Sequence, residues 1–126
     1  MLVVLDASAV LALLHEERGW EEVKGLLPGA LISAVNLLEV VTRLVDRGDS
    51  VAEAQEILGL FRLEVIPLTT ELAYLAAELR PLTRRAGLSL GDRACLATAM
   101  SRNATAVTGD RAWAGLDLPV AVELFR

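Results

Sequence analysis

Short apolar runs alternate along this chain with segments of helical period, and that alternation constrains the fold more than any other feature. Leu2–Leu5 is a continuous apolar run of the kind that forms a strand buried on both faces. Asp6 ends it, and Ala7–Leu14 takes up a helical pattern. Gly19 and Pro28 bracket a shorter helix containing Trp20, and a weak strand follows at Ala30–Ser33. Val35–Arg47 has helical periodicity and stops at Gly48. Ser50–Phe61 reads as a helix opened by Ser50 as N-cap, with Glu53 completing a capping box. Glu64–Pro67 is a strand, and Thr70–Arg85 a long helix strained or broken by Pro81. Leu90–Arg102 is a helix, Thr105–Thr108 a strand and Val120–Glu123 a last strand. Strands that alternate with helices predict a parallel α/β sandwich with right-handed crossovers.

In such sheets a ligand site lies beyond the carboxyl ends of the strands, so the side chains found there matter most. They are acidic. Asp6 ends the first strand, Asp110 follows Thr105–Thr108, and Asp92 opens the helix that feeds that strand. Each has an ordinary explanation. Asp6 and Asp110 can cap the turns that follow them, and Asp92 completes a capping box with Ser89. Their conjunction points elsewhere. The helix from Leu90 is apolar nearly all round, which predicts burial, and a carboxylate beside it needs a partner. Converging carboxylates repel one another, and a divalent cation would neutralise them. All-oxygen ligands select a hard ion such as Mg²⁺ or Mn²⁺ over zinc. Glu39 reads differently. The apolar stripe of its helix is Leu37, Val40, Val41, Leu44 and Val45, so Glu39 falls near the opposite, solvated face, one turn from Arg43.

Composition narrows the class. The 126 residues suit one compact domain. At 54% hydrophobic the chain is far from disorder, and at 4% aromatic its core must be built from Leu, Val and Ala. No apolar run reaches the ~20 residues of a membrane span. Met1–Asp6 carries no basic segment and no signal-peptide core, so a cytoplasmic protein is expected. Cys95, the only cysteine, forms no internal disulfide and no CxxC site. The net charge is −5, an awkward balance for a nucleic-acid binder unless bases cluster locally and the acids serve another purpose. Eleven of the twelve bases are arginine, and Arg80, Arg84 and Arg85 form the one dense stretch.

Four segments together resemble the VapC-type PIN-domain nucleases: VVLDASAVLALL (3–14), ISAVNLLEVVTRL (32–44), GLSLGDRACLATA (87–99) and AVTGDRAW (106–113). The resemblance covers essentially the whole chain, read as one PIN domain over 1–126. It implies a three-layer α/β/α sandwich around a central parallel sheet, and a site of four acids: Asp6, Glu39, Asp92 and Asp110. It thereby lifts Glu39 above the solvated-face reading. Thr108, Asn36 and Ser8 also match and are expected to orient carboxylates. The activity implied is Mg²⁺-dependent hydrolysis of RNA, with Mn²⁺ able to substitute, by the toxin of a toxin–antitoxin pair. The expected partners are RNA, a cognate antitoxin whose tail covers the groove, and a second copy in a homodimer.

Two rivals stay on the page. An Asp-nucleophile phosphatase would place a second Asp where Ser8 stands and a lysine near the later acids, whereas the only lysine is Lys24. A non-catalytic PIN-fold interaction domain would be marked by missing acids, and all four are present. His15, at a helix end beside Glu16 and Glu17, is expected to be solvated. Trp113 is expected to pack its turn against the domain, Trp20 to lie in a core or an interface, and Cys95 to act as a small buried hydrophobe. Val10, Leu13, Leu14, Leu58, Leu60, Phe61, Leu72, Leu75 and Leu79 amount to more apolar surface than one small sheet is expected to cover, which favours a docking groove and a two-fold interface.

Overall fold

The computed structural model describes every residue from Met1 to Arg126. Five short strands form one sheet: β1 (Val3–Leu5), β2 (Leu31–Ser33), β3 (Glu64–Ile66), β4 (Thr105–Thr108) and β5 (Val122–Leu124). Their order is β3-β2-β1-β4-β5, and every pair is parallel. The chain therefore builds outward from β1 in one direction through β2 and β3, then crosses back to lay β4 and β5 on the other side. The order reverses between β1 and β4. In open parallel sheets the crevice at such a switch point is the place left uncovered for a ligand.

Seven helices cover the two faces: α1 (Ala7–His15), α2 (Trp20–Leu26), α3 (Ala34–Asp46), α4 (Val51–Gly59), α5 (Thr70–Glu78), α6 (Arg80–Thr83) and α7 (Leu90–Ser101). Alternation along the strands divides the core in two. Val3, Leu5, Ile32 and Val107 pack against α1–α4, together with Val10, Val40, Leu44 and Phe125. Val4, Leu31, Ile66 and Ala106 face the other way, onto Leu72, Leu79, Cys95, Leu96 and Trp113. The result is the three-layer α/β/α sandwich with a central parallel sheet. No helix is long and apolar enough to cross a membrane.

Local chemistry explains most boundaries. Ser50 accepts from the Glu53 N–H while Glu53 reaches back to the Ser50 N–H, a complete capping box at the start of α4. Ser33 caps α3, which begins at Ala34, one residue before the periodicity suggests. The predicted Thr70–Arg85 helix is two helices: α5 ends at Glu78, and Pro81 sits in the first turn of α6, where its missing N–H costs nothing. The last strand lies at Val122–Leu124 instead of Val120–Glu123, because its register is set by pairing with Ala106–Thr108.

The apolar excess expected from the sequence is not there. Val10, Leu13, Leu58, Leu72 and Leu79 are buried in the two half-cores, Leu14, Phe61 and Leu75 are partly buried against them, and only Leu60 stands out, 79% exposed. Sheets covered on both faces simply absorb more leucine than the strand lengths suggest. The exposed apolar side chains are other ones, Leu38, Tyr74 and Leu90 among them. Trp113 is buried as expected, His15 is exposed and touches Arg47, and Trp20 packs partly buried against the α1–α4 half-core.

Candidate active site at the carboxyl edge

Asp6 occupies the switch point. It leaves β1 as the N-cap of α1 and is almost wholly buried, 4% exposed. Its backbone N–H donates to the Val107 carbonyl, which ties the end of β1 to β4. Its carboxylate is held from three directions. Ser8 Oγ and the Ala9 N–H donate to Oδ1 at 2.6 and 2.9 Å, and Thr108 Oγ1 donates to Oδ2 at 2.5 Å. Burial pushes the Asp6 carboxyl from 3.8 up to about 6; the nearby Asp92 charge adds to the rise, and the three hydrogen bonds oppose it. Three donors and a remaining strong rise mean that this carboxylate is desolvated beyond what its partners restore.

Ser8 and Thr108 connect the acids as well as clamping one. Gly109 N–H donates to Ser8 Oγ at 3.0 Å, and Asp110 N–H donates to Thr108 Oγ1 at 3.0 Å. The loop after β4 is thus hung on the same two hydroxyls that hold Asp6. Asp110 itself is exposed, and its Oδ1 caps the short 3-10 helix Arg111–Trp113 through the Ala112 N–H.

Asp92 and Glu39 approach from α7 and α3. Asp92 Oδ2 accepts from the Ser89 N–H, and Ser89 Oγ accepts from the Asp92 N–H, the second complete capping box of the chain. Glu39 lies on the exposed face of α3, as the periodicity indicates, but that face turns toward the start of α7. Asn36, buried on α3, donates through Nδ2 to Glu39 Oε1 at 2.8 Å and to the Gly91 carbonyl at 3.1 Å. One amide thereby locks the Glu39 side chain to the α7 N-terminus, while its own Oδ1 has no partner. The fit depends on Gly91: a Cβ there would collide with Glu39 Oε1. Sequence reasoning missed Gly91, because nothing local in a helix's first turn announces a contact with a residue 52 positions earlier.

Asp6, Asp92 and Glu39 all lie near enough to act electrostatically on one residue. That residue is the buried Cys95, its thiol pushed well above the usual range first by burial and then by the charges of those three acids. Asp110 is tied to this group through Thr108 and faces outward. Each acid performs the capping or structural bond that its local sequence suggests, yet Glu39 Oε2, Asp92 Oδ1 and Asp110 Oδ2 accept no hydrogen bond and stay available to a further ligand. No three carboxylates, imidazoles or thiols are already gathered into a cage for a metal ion. The donor chemistry suits a hard cation, with no nitrogen or sulfur exposed beside it. The nearest arginines in sequence do not serve as counter-ions: Arg93 Nη1 donates to the Ala76 carbonyl, and Arg111 is exposed on the 3-10 turn.

A PIN domain family profile matches residues 3–118. Among solved structures, the chain resembles DNA-bound VapBC from Salmonella typhimurium at 21% identity and a TM-score of 0.76, over 100% of both chains. It resembles VapBC-5, a member of the VapBC family of toxin–antitoxin systems from Mycobacterium tuberculosis, at 26% identity and a TM-score of 0.62, over 99% of this chain and 98% of that one. A third likeness is to Mycobacterium tuberculosis VapC20, a sarcin–ricin loop cleaving toxin, at 22% identity and a TM-score of 0.70, covering 90% and 95%. No curated protein matches the chain.

Proposed function

The chain belongs to the PIN domain family, and on that premise we propose that it is a VapC-type toxin, a divalent-metal-dependent endoribonuclease of a toxin–antitoxin pair. The observation that carries the reading is Asp6: a carboxylate buried at the switch point, raised to about 6 by desolvation, with the Asp92 charge near enough to add to the rise. A strongly desolvated carboxylate in a crevice is a mark of a functional site, over and above its work as the cap of α1.

Asp6, Glu39, Asp92 and Asp110 would hold one or two Mg²⁺ ions, with Mn²⁺ as a substitute. The bound ion supplies charge stabilisation at the scissile phosphate and lowers the pKa of a water. The chain's own residues do the rest. Ser8 and Thr108 fix both oxygens of Asp6, so that it meets a ligand in one orientation. Asn36 holds Glu39 against α7 with Oε2 unbonded, and whichever of Glu39 and Asp92 is left free of the ion would accept a proton from the attacking water.

Residues 1–126 act as one PIN domain in the cytoplasm, where RNA and a cognate antitoxin are its partners. The exposed Leu38, Tyr74 and Leu90, 66%, 72% and 75% exposed, support a homodimer face across α3, α5 and α7. A groove of about 460 Å³ between α3, α4 and β3, lined by Leu37, Val41, Val51, Leu58, Leu63 and Val65, fits the apolar face of an antitoxin helix. The deciding experiment incubates the purified protein with labelled RNA in Mg²⁺, in Mn²⁺ and in excess EDTA. Cleavage in the first two and none in the third is expected; full cleavage in EDTA would remove the metal from the proposal.

A further inference from the structure

An ion on the four acids would serve the scissile phosphate, and the phosphates flanking it call for cations of the chain's own; among the arginines of the quoted motifs, Arg93 is committed to the Ala76 carbonyl. The parallel pairing of β4 with β5 brings Arg126 to the loop that follows β4. Thr108 is in register with Leu124, and the Phe125 N–H donates to the Thr108 carbonyl at 3.2 Å. The Arg126 side chain lies directly over Gly109: a Cβ on that glycine would stand 2.6 Å from Nε and 3.0 Å from Cζ, with Phe125 Cζ at 2.9 Å. Gly109 is also the residue whose N–H donates to Ser8 Oγ, itself bonded to Asp6. The guanidinium is therefore one residue removed from the hydroxyl network that holds the buried acid.

This arginine is restrained yet not used up. It stacks on the Phe125 ring at 5.0 Å and contacts Glu17 Oε1 at 3.6 Å through Nη1, while its side chain stays 31% exposed. One loose contact leaves most of its five donors open, in the rigid fork that matches a phosphate. The close approach of Gly109 explains why no side chain stands at that position.

We propose that Arg126 is a phosphate anchor of this site, holding an RNA backbone phosphate next to the one presented to Asp6 and Asp110, and that Gly109 is kept bare to admit it. The proposal rests on the nuclease reading above. It is tested by fluorescence anisotropy with a 5′-labelled single-stranded RNA oligonucleotide in EDTA, so that binding is read without cleavage, across a series of KCl concentrations. Arg126→Gln is expected to weaken binding about 5- to 10-fold at low salt and to flatten the log–log salt dependence by about 0.7, one phosphate's share on a single strand. Arg126→Lys should recover part of the loss, Gly109→Ala should reproduce it by displacing the guanidinium, and Arg102→Gln, on the far end of α7, should bind as the parent does. If Arg126→Gln proves unfolded by its melting curve, Glu17→Gln takes its place, and freeing the guanidinium from its carboxylate should tighten binding about 2-fold. Parental affinity and salt slope in a folded Arg126→Gln, or no tightening in Glu17→Gln, overturns the anchor. A parent protein that neither binds nor cleaves RNA overturns the nuclease reading instead.

Discussion

Replacing Asp6 with asparagine measures what the buried charge costs. In the folded chain the carboxyl titrates near 6 instead of 3.8, so between those values the folded state binds a proton that the unfolded state has released. Stability therefore falls as pH rises through that window, and above about 6 the whole penalty is present. From 3.8 to about 6 it amounts to about 3 kcal/mol, each tenfold change in proton affinity being worth about 1.4. Asparagine is as good an N-cap as aspartate, keeps the acceptor for the Ala9 N–H, and can donate to Thr108 Oγ1 once that hydroxyl rotates. Metal-free Asp6→Asn is thus expected to exceed the parent by about 1–3 kcal/mol at pH 8, or roughly 4–12 °C in a domain of this size. The difference should vanish below about pH 4, where the parent carboxyl is neutral in both states. Thermal melts of both proteins in EDTA from pH 4 to 8 provide the test. An asparagine variant less stable than the parent by the same amount at every pH would show that the charged cap, not its desolvation, dominates at this position.

Thr108→Val removes the donor to Asp6 Oδ2 and the acceptor of the Asp110 N–H, and should cost about 1–3 kcal/mol by urea titration. Most of that cost should disappear in the Asp6→Asn background, where no charge is left stranded; full additivity would disprove the coupling. Gly91→Ala pushes Glu39 off Asn36 by displacing the far end of a flexible side chain, so the melting temperature should hardly move while single-turnover RNA cleavage falls about 10-fold or more. Parental cleavage by that variant would remove Glu39 from the reaction. Sedimentation at micromolar concentration should show a dimer that Leu90→Arg converts to monomer, and a monomeric parent sinks the two-fold face.

What was legible in the sequence is whatever depends on neighbours three or four residues away. The caps at Ser50, Ser89, Asp6 and Asp110 form as their spacing implies, because an oxygen and an orphan N–H at fixed helical offset meet whatever the rest of the chain does. The Pro81 break and the buried character of α7 are local in the same sense. Strand order is not local. Only the crossover that places β4 beside β1 brings Thr108 to Asp6 across 102 residues and turns two unrelated caps into one clamp. Periodicity put Glu39 on a polar face correctly, and only the packing of α3 against α7 makes that face an edge of the site. The same holds for the bare positions Gly91 and Gly109 and for Arg126: a glycine's reason for being bare is the side chain that arrives there from a distant segment. The leucines that looked surplus were miscounted for the same cause, since how much apolar surface two helical layers absorb depends on how they close over the sheet, a property of the assembled chain and of no window within it.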